Sequence, residues 1–278
     1  MHKTLLPKLE VVSLRTLILH EDVENHRVDR IQERFRTEGS LKNPPVVGRN
    51  PRYRSLIVLD GASRVTAARR LGLPHFLVQI VPYPSPDIGL DPWHHIVVGM
   101  DWGTLVEKAS AIQGARVEVM PTREADRALE RRTALASIRA PGRKPAVLTL
   151  VHPRRTGLGP IRELTRLYAT DPGLHRVRED QLPLPEEWLG EERVLVLFPR
   201  FTQEDILRLA LRHQDRLPMG ITRHTVPNRA LRVHYPLDQL ASAVPLAEKR
   251  KRLRRFLEDR WEAGRIRHYP EATTVYDE

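Results

Sequence analysis

Residues 82–92 read PYPSPDIGLDP, and no other run restricts the fold of this chain as much. Each of its four prolines lacks the N–H group that a helix interior or a central strand uses, and each fixes its own φ. The segment predicts a break, which divides the chain into a domain over 1–84 and another over 85–278. Before the break, extended and helical patterns alternate. LEVVS (9–13), PPVVG (44–48), SLIVLD (55–60) and HFLVQIV (75–81) read as strands. Glu24 to Thr37 carries Val28, Ile31 and Phe35 at helical spacing among charges and stops at Gly39. ASRVTAARRLG (62–72) is rich in helix formers and ends in Gly72. This order predicts one compact α/β module.

Beyond the break, Trp102 to Ile112, Arg123 to Arg132 and Pro160 to Ala169 read as helices, the last with proline in its first turn. Another helix starts at Thr202, with Asp205 at the capping-box position. Residues 116–119, PAVLTLVH (145–152) and RVLVLF (193–198) read as extended, and ALRVHYP (230–236) alternates like a half-buried strand. AEKRKRLRRFLEDRWEAG (247–264) is a basic helix with Leu246, Leu253, Phe256, Leu257 and Trp261 along one stripe. The expected fold class is α/β in the broad α+β sense, a small N-terminal module followed by a second mixed α/β domain that ends in the basic helix.

Composition removes several chemistries. The 278 residues include no cysteine, which excludes a disulfide scaffold, a thiol nucleophile, an iron–sulfur site and a cysteine zinc site. The formal charge is +11, and only seven of the 46 cations are lysines. Arginine is the better bidentate partner for phosphate and carboxylate, so the excess points to an anionic partner, nucleotide or nucleic acid. No apolar run approaches the ~20 residues of a membrane span, and MHKTLLPKLEVVS has no apolar stretch of signal-peptide length. The expectation is a cytoplasmic protein with no membrane partner. The phosphate-loop, dinucleotide-fingerprint, nucleophile-elbow and H-E-x-x-H patterns are all missing. His94-His95 is the only adjacent histidine pair, and neighbours on a strand face opposite sides, which suits a shared metal poorly.

The most informative segment is VLDGASRVTAARRLG (58–72). An apolar strand ends at Asp60, turns at Gly61 and enters a helix whose first turn holds Ala62, Ser63 and Arg64. Unpaired N–H groups at a helix N-terminus attract phosphate, Arg64 adds a charged fork, and Gly61 lets a ligand approach the backbone. Asp60 is suited to hold magnesium or to orient a base. The same pattern also fits an ordinary strand–turn–helix with a surface arginine.

The pattern D-G-x-x-R-x-x-A-x-x-x-L-G, preceded by SLKNPPVVG, resembles the ParB/sulfiredoxin-like fold family over roughly residues 9–81. LHEDVE (19–24), DPWHHIVVGMDWGTL (91–105), LPMGITRHTVPNRALRVHYPLDQL (217–240) and RLRRFLEDRW are similar to the free L-serine kinases of that family. The resemblance implies Mg2+-dependent transfer of a phosphoryl group from ATP or ADP to the hydroxyl of free L-serine. It also implies roles. Glu21 matches the essential loop glutamate, the base or orienter for the serine hydroxyl, and lies on a loop of the first domain. Asp60 matches a catalytic or magnesium-linked aspartate. Gly61, Ala62, Ser63 and Arg64 match the phosphate-cradling turn, and Lys42 and Asn43 the loop that adds nucleotide contacts. Trp102, Thr222, Arg223 and His224 match second-domain positions that close over the amino acid. The family's turn usually has a histidine just before the arginine; here Ser63 stands there, a hydrogen-bond donor without charge.

The tail helix allows another reading. Lys249, Arg250, Lys251, Arg252, Arg254 and Arg255 put six cations into seven positions. They read either as a nucleic-acid footprint or as the solvated face of a helix whose stripe packs into the second domain. The first option keeps open an alternative function, a ParB-like nucleotide-binding regulator of DNA with degenerate catalysis.

Overall fold

The computed structural model describes residues 6–152, 158–169, 174–182, 193–212 and 216–269. Its Cα packing separates two compact units. The first comprises residues 1–19, 23–88 and 226–278; the second comprises 20–22 and 89–225.

The first unit is built on a five-stranded sheet: β1 (Leu9–Ser13), β2 (Leu17–Leu19), β4 (Val46–Arg49), β5 (Leu56–Asp60) and β6 (His75–Pro82), in the order β1-β6-β4-β5-β2. The sheet is mixed, with β4 and β6 parallel and β4 and β5 antiparallel. Helices α1 (Asn25–Glu38) and α2 (Ala62–Arg70) pack on each other. A short β3 (Ser40–Leu41) pairs with β14 (Tyr235–Pro236). The core joins Val11, Val28, Leu41, Val58, Val65 and Phe76 to Tyr235, Leu237, Leu240 and Leu253 from the far end of the chain. Apolar positions of α1 and the β-branched runs of β4 to β6 supply its inner faces, as the periodicity predicts.

The C-terminal segment departs from expectation. The tail helix, α8 (Leu246–Glu262), packs on β1 of the first unit, not in a second domain. Leu253 is buried in the first core, and Leu246, Phe256 and Leu257 pack against it. Several of the helix's cations are held inside the unit. Lys249 is fully buried and its Nζ donates to the Leu240 carbonyl at 2.5 Å. Arg250 donates to the Val11 carbonyl (3.1 Å) and to Glu10 (2.7 Å), and Arg252 to Gln239 (2.9 Å). Lys251, Arg254 and Arg255 face solvent. The expected strand over 230–236 does not form either. Arg232 and His234 have φ of 53° and 50°, so only Tyr235–Pro236 pair as strand. The backbone there is satisfied by other means: the N–H groups of Ala230, Arg232 and Val233 donate to Gln79 Oε1, Asn43 Oδ1 and the Lys42 carbonyl.

The second unit carries a seven-stranded antiparallel sheet: β7 (Gly89–Val98), β8 (Ala115–Val119), β9 (Ala134–Arg139), β10 (Ala146–Leu150), β11 (His175–Arg178), β12 (Arg193–Leu197) and β13 (Thr222–Thr225). The order is β11-β7-β12-β9-β10-β8, with β13 also on β7. Helices α3 (Trp102–Ser110), α4 (Thr122–Glu130) and α5 (Gly159–Arg166) pack on the β8–β9 region. α6 (Gln203–Arg212) opens with the expected cap: Thr202 and Asp205 exchange side-chain-to-backbone hydrogen bonds. A five-residue α7 (Leu237–Ala241) belongs to the first unit.

The proline-rich run is less of a break than its composition suggests. β6 extends to Pro82, and β7 begins at Gly89 and contains Pro92. Pro92 is tolerated because Trp93, not Pro92, turns its N–H toward the β13 side, donating to the Ile221 carbonyl at 3.0 Å. The two units separate within this run, between Ile88 and Gly89.

Candidate functional site

Two clusters gather the expected site residues, one in each unit. In the first unit β5 ends at Asp60, and Gly61 turns the chain with φ of 92°. A Cβ on Gly61 would stand 2.7 Å from Arg64 Nη2 and 3.0 Å from Pro45 Cβ, so the position favours glycine both sterically and conformationally. α2 starts at Ala62 with no side-chain cap, leaving its first-turn N–H groups available to an anion. Ala62 and Ser63 are buried.

Asp60 Oδ2 accepts from Arg64 at 2.8 Å and from Arg229 at 2.7 Å. Burial on its own would raise the Asp60 carboxyl; the charges and hydrogen bonds of Arg64 and Arg229 outweigh it and hold the pKa below the ordinary value. Asp60 is therefore an anion at neutral pH, clamped by two cations. The Nε–H groups of Arg64 and Arg229 are both buried and have no hydrogen-bond partner among the described residues. The cluster thus carries an excess of one positive charge and unused donors beside an uncapped helix N-terminus.

No sequence motif marks Arg229, and β6 explains how it gets there. Gln79, buried on β6, donates through Nε2 to the Asn228 carbonyl (3.1 Å) and accepts from the Ala230 N–H (2.9 Å). It grips the residues on either side of Arg229. Asn228 itself is left-handed, with φ of 55°. The sequence signal was Pro227-Asn228, a turn pair that sets the direction of the next side chain. Lys42 and Asn43, expected to touch nucleotide, use a carbonyl and a side-chain oxygen to hold this same C-terminal segment.

The second cluster surrounds Glu21. Residues His20–Asp22 belong to the second unit, although the sequence suggested a loop of the N-terminal module. Glu21 forms a parallel bridge with Leu217, flanked by Asp22 N–H to Leu217 O (2.8 Å) and Leu217 N–H to His20 O (2.9 Å). Asp22 is paired with Arg162 of α5 at 2.8 Å. His20, 1% exposed, meets the buried His224 ring edge-on, centroids 5.3 Å apart. Thr222 Oγ1 is buried and has no hydrogen-bond partner among the described residues. Arg223 and Arg176 each lie 6.0 Å from the Trp93 ring centroid, within cation–π range.

Trp102 lies elsewhere in this unit. Its Nε1 donates to the Ile138 carbonyl (3.3 Å), and Arg143 sits 6.0 Å from its ring. No described contact brings it to Thr222–His224. The adjacent histidines are both buried, not at a polar edge. His94 Nδ1 accepts from the Phe198 N–H at 3.2 Å. His95 lies between the Gly220 carbonyl (2.8 Å from Nε2) and the Tyr168 hydroxyl (3.1 Å from Nδ1). A carbonyl can only accept, so the His95 proton resides on Nε2. Burial drives His94 down to about 4 and His95 to about 3, and pushes the Tyr168 phenol up. Among the described residues no three His, Asp or Glu side chains converge on a metal site, and no helix is long and apolar enough to cross a membrane.

No family model matches the chain. It is 27% identical over 120 residues to an ATP-dependent L-serine kinase of Staphylothermus marinus. That match takes in 42% of this chain and 47% of the kinase, so the chain spans about half the length of the curated relative. Among solved structures, a C-terminally truncated SbnI of Staphylococcus aureus superposes with a TM-score of 0.71 at 18% identity, covering 91% of this chain and 97% of that truncated chain. A free serine kinase in complex with AMP superposes with a TM-score of 0.71 at 17% identity, covering 84% of this chain and 94% of the kinase. The chain has the mixed α/β fold of these proteins, as the resemblance implied.

Proposed function

We propose that this protein is a nucleotide-dependent kinase of free L-serine, with ATP as donor and O-phospho-L-serine as product. The observation that carries this reading is the Asp60–Arg64–Arg229 cluster at the uncapped start of α2. Two guanidiniums and a row of N–H donors suit a polyphosphate, and phosphoryl transfer asks a protein mainly for positioning and charge neutralisation. The ATP-dependent serine kinase among the relatives, and the AMP complex among the structures with this fold, support the choice of ligands.

On this reading Gly61, Ala62, Ser63 and Arg64, joined by Arg229, hold the phosphates. Thr222, Arg223 and His224 bind the amino acid, and the unused Thr222 hydroxyl and the Arg223 guanidinium suit its carboxylate. Glu21 takes the proton of the serine hydroxyl. The serine oxygen bonds to the γ-phosphorus, the bond from that phosphorus to the β–γ bridging oxygen breaks, and ADP leaves with the electron pair. Both described ion pairs of Asp60 fall on one oxygen, and among the described residues it belongs to no group of three His, Asp or Glu side chains that could hold a metal, which supports a role in holding Arg64 and Arg229 over a resident metal cage. Mg2+ is instead part of the substrate, entering on the nucleotide phosphates.

Phosphorus NMR tests the proposal: protein, Mg2+ and L-serine with ATP in one tube and ADP in another. A phosphoserine resonance with ATP is expected. Glu21→Gln should abolish it while nucleotide affinity is kept. A folded protein that gives no phosphoserine with either nucleotide refutes the reading, and full turnover in Glu21→Gln removes Glu21 from the mechanism.

A further inference from the structure

β8 is the outer strand of the seven-stranded sheet, hydrogen-bonded on one side to β10 and, among the described residues, to no strand on the other. The register determines what the open side presents. Met120 N–H donates to the Pro145 carbonyl and Val151 N–H to the Gly114 carbonyl. In an antiparallel ladder the bonded pairs recur every second residue, so Arg116 and Glu118 turn their backbone groups toward β10. Ala115, Val117 and Val119 turn theirs outward. The Ala115 N–H is taken by the Ile112 carbonyl at 3.2 Å, which leaves outward the N–H groups of Val117 and Val119 and three carbonyls. Val119 is 53% exposed, among the most exposed large apolar side chains described.

The side chains along this edge read Ala-Arg-Val-Glu-Val, a charge pattern that becomes its own complement when reversed about Val117. We propose that two copies of this chain pair through their β8 edges, antiparallel, about a two-fold axis at Val117. In that register Val117 faces Val117 of the other copy in a hydrogen-bonded pair, and Val119 faces Ala115. Four backbone hydrogen bonds form, two from Val117 N–H and two from Val119 N–H. Arg116 then stands opposite Glu118 of the other copy, twice, at the non-hydrogen-bonded positions where facing side chains lie closest. These two side chains are 64% and 50% exposed and, among the described residues, form an ion pair with each other at 3.2 Å. Edge charges normally repel an incoming strand. Here opposite signs two residues apart convert the same device into selection for a second copy in one register. The isologous geometry closes at two and does not propagate.

The test is sedimentation equilibrium of the full chain over ~1–200 μM, a range that brackets a micromolar-class contact between short edges. A reversible dimer is expected. Arg116→Glu and Glu118→Arg alone each place like charges opposite one another twice and should weaken it about tenfold or more, whereas the double swap R116E/E118R restores both pairs and should recover wild-type association. The chain has no cysteine, so Val117→Cys gives one thiol per copy at a facing Cα spacing of about 5.5 Å, within disulfide reach. Oxidation should give a covalent dimer with Val117→Cys and none with Ala243→Cys, exposed in the first unit. A wild type that stays monomeric throughout the range overturns the proposal. So does a dimer that both single swaps leave unchanged, or one that the double swap fails to restore.

Discussion

Asp60→Asn removes the anion that holds Arg64 and Arg229 together, and its consequence can be worked out in advance. The wild-type carboxylate accepts two charge-assisted hydrogen bonds on one oxygen, at 2.8 and 2.7 Å. A buried bond of this kind contributes ~1.5–3 kcal/mol, and a solvent-exposed ion pair only ~0.2–1. The Asp60 side chain is 40% exposed, with Arg64 and Arg229 at 22% and 28%, so each bond falls near the boundary of those ranges. Together they contribute about 2 kcal/mol after discounting for solvent screening. The sign of the pH dependence follows from the lowered pKa. The folded carboxyl titrates below the unfolded one, so its stabilisation is complete above the unfolded value of 3.8 and is lost as pH falls through the lower folded value. Urea unfolding followed by circular dichroism, at pH 7 and again below pH 3.8, compares wild type with the variant. The expected difference of about 2 kcal/mol at pH 7 shrinks on acidification. A variant as stable as wild type at pH 7 would refute the reasoning, and so would a difference that persists unchanged in acid.

Two further outcomes follow from the same geometry. Gly61→Ala sets a methyl group 2.7 Å from Arg64 Nη2 at a φ of 92°, so it should displace the guanidinium and lower nucleotide affinity by about tenfold or more in isothermal titration. His94 and His95 are buried neutral with pKa values of about 4 and about 3, against 6.5 unfolded. The unfolded chain binds the extra protons, so stability is complete above pH 6.5 and falls below it, by up to about 1.4 kcal/mol per pH unit for each histidine. Urea midpoints measured between pH 7.5 and 5 should show this slope, and His94→Gln should reduce it; a flat profile counts against both assignments.

The elements legible in advance were those with a local cause. α1 and α2 announce themselves by apolar spacing and by Gly39 and Gly72, α6 by Thr202 and Asp205, α5 by Pro160. The turn Asp60–Arg64 was equally plain, since strand end, glycine and helix start adjoin in sequence. Arg229, by contrast, reaches Asp60 across a separation of 169 residues, and its approach depends on Gln79 gripping Asn228 and Ala230. The reversal of φ at Arg232 and His234 defeated an alternating pattern that looked like a strand, because acceptors on Gln79, Asn43 and Lys42 satisfy that backbone in place of a ladder. The placement of Trp102, whose indole N–H donates to the Ile138 carbonyl, likewise depends on a strand far from it in sequence.

By itself the sequence determined the local repertoire: which stretches bury one face, where helices begin and stop, and which turn presents N–H donors to an anion. Those properties act within a few residues, through hydrogen-bond capping and hydrophobic periodicity. The tertiary structure alone decided that the basic tail helix returns to β1, that His20–Asp22 join the second unit, and that Asp60 is clamped by two arginines instead of one. These outcomes depend on which distant surfaces bury together, and the energy of that burial is shared among residues that no local pattern connects.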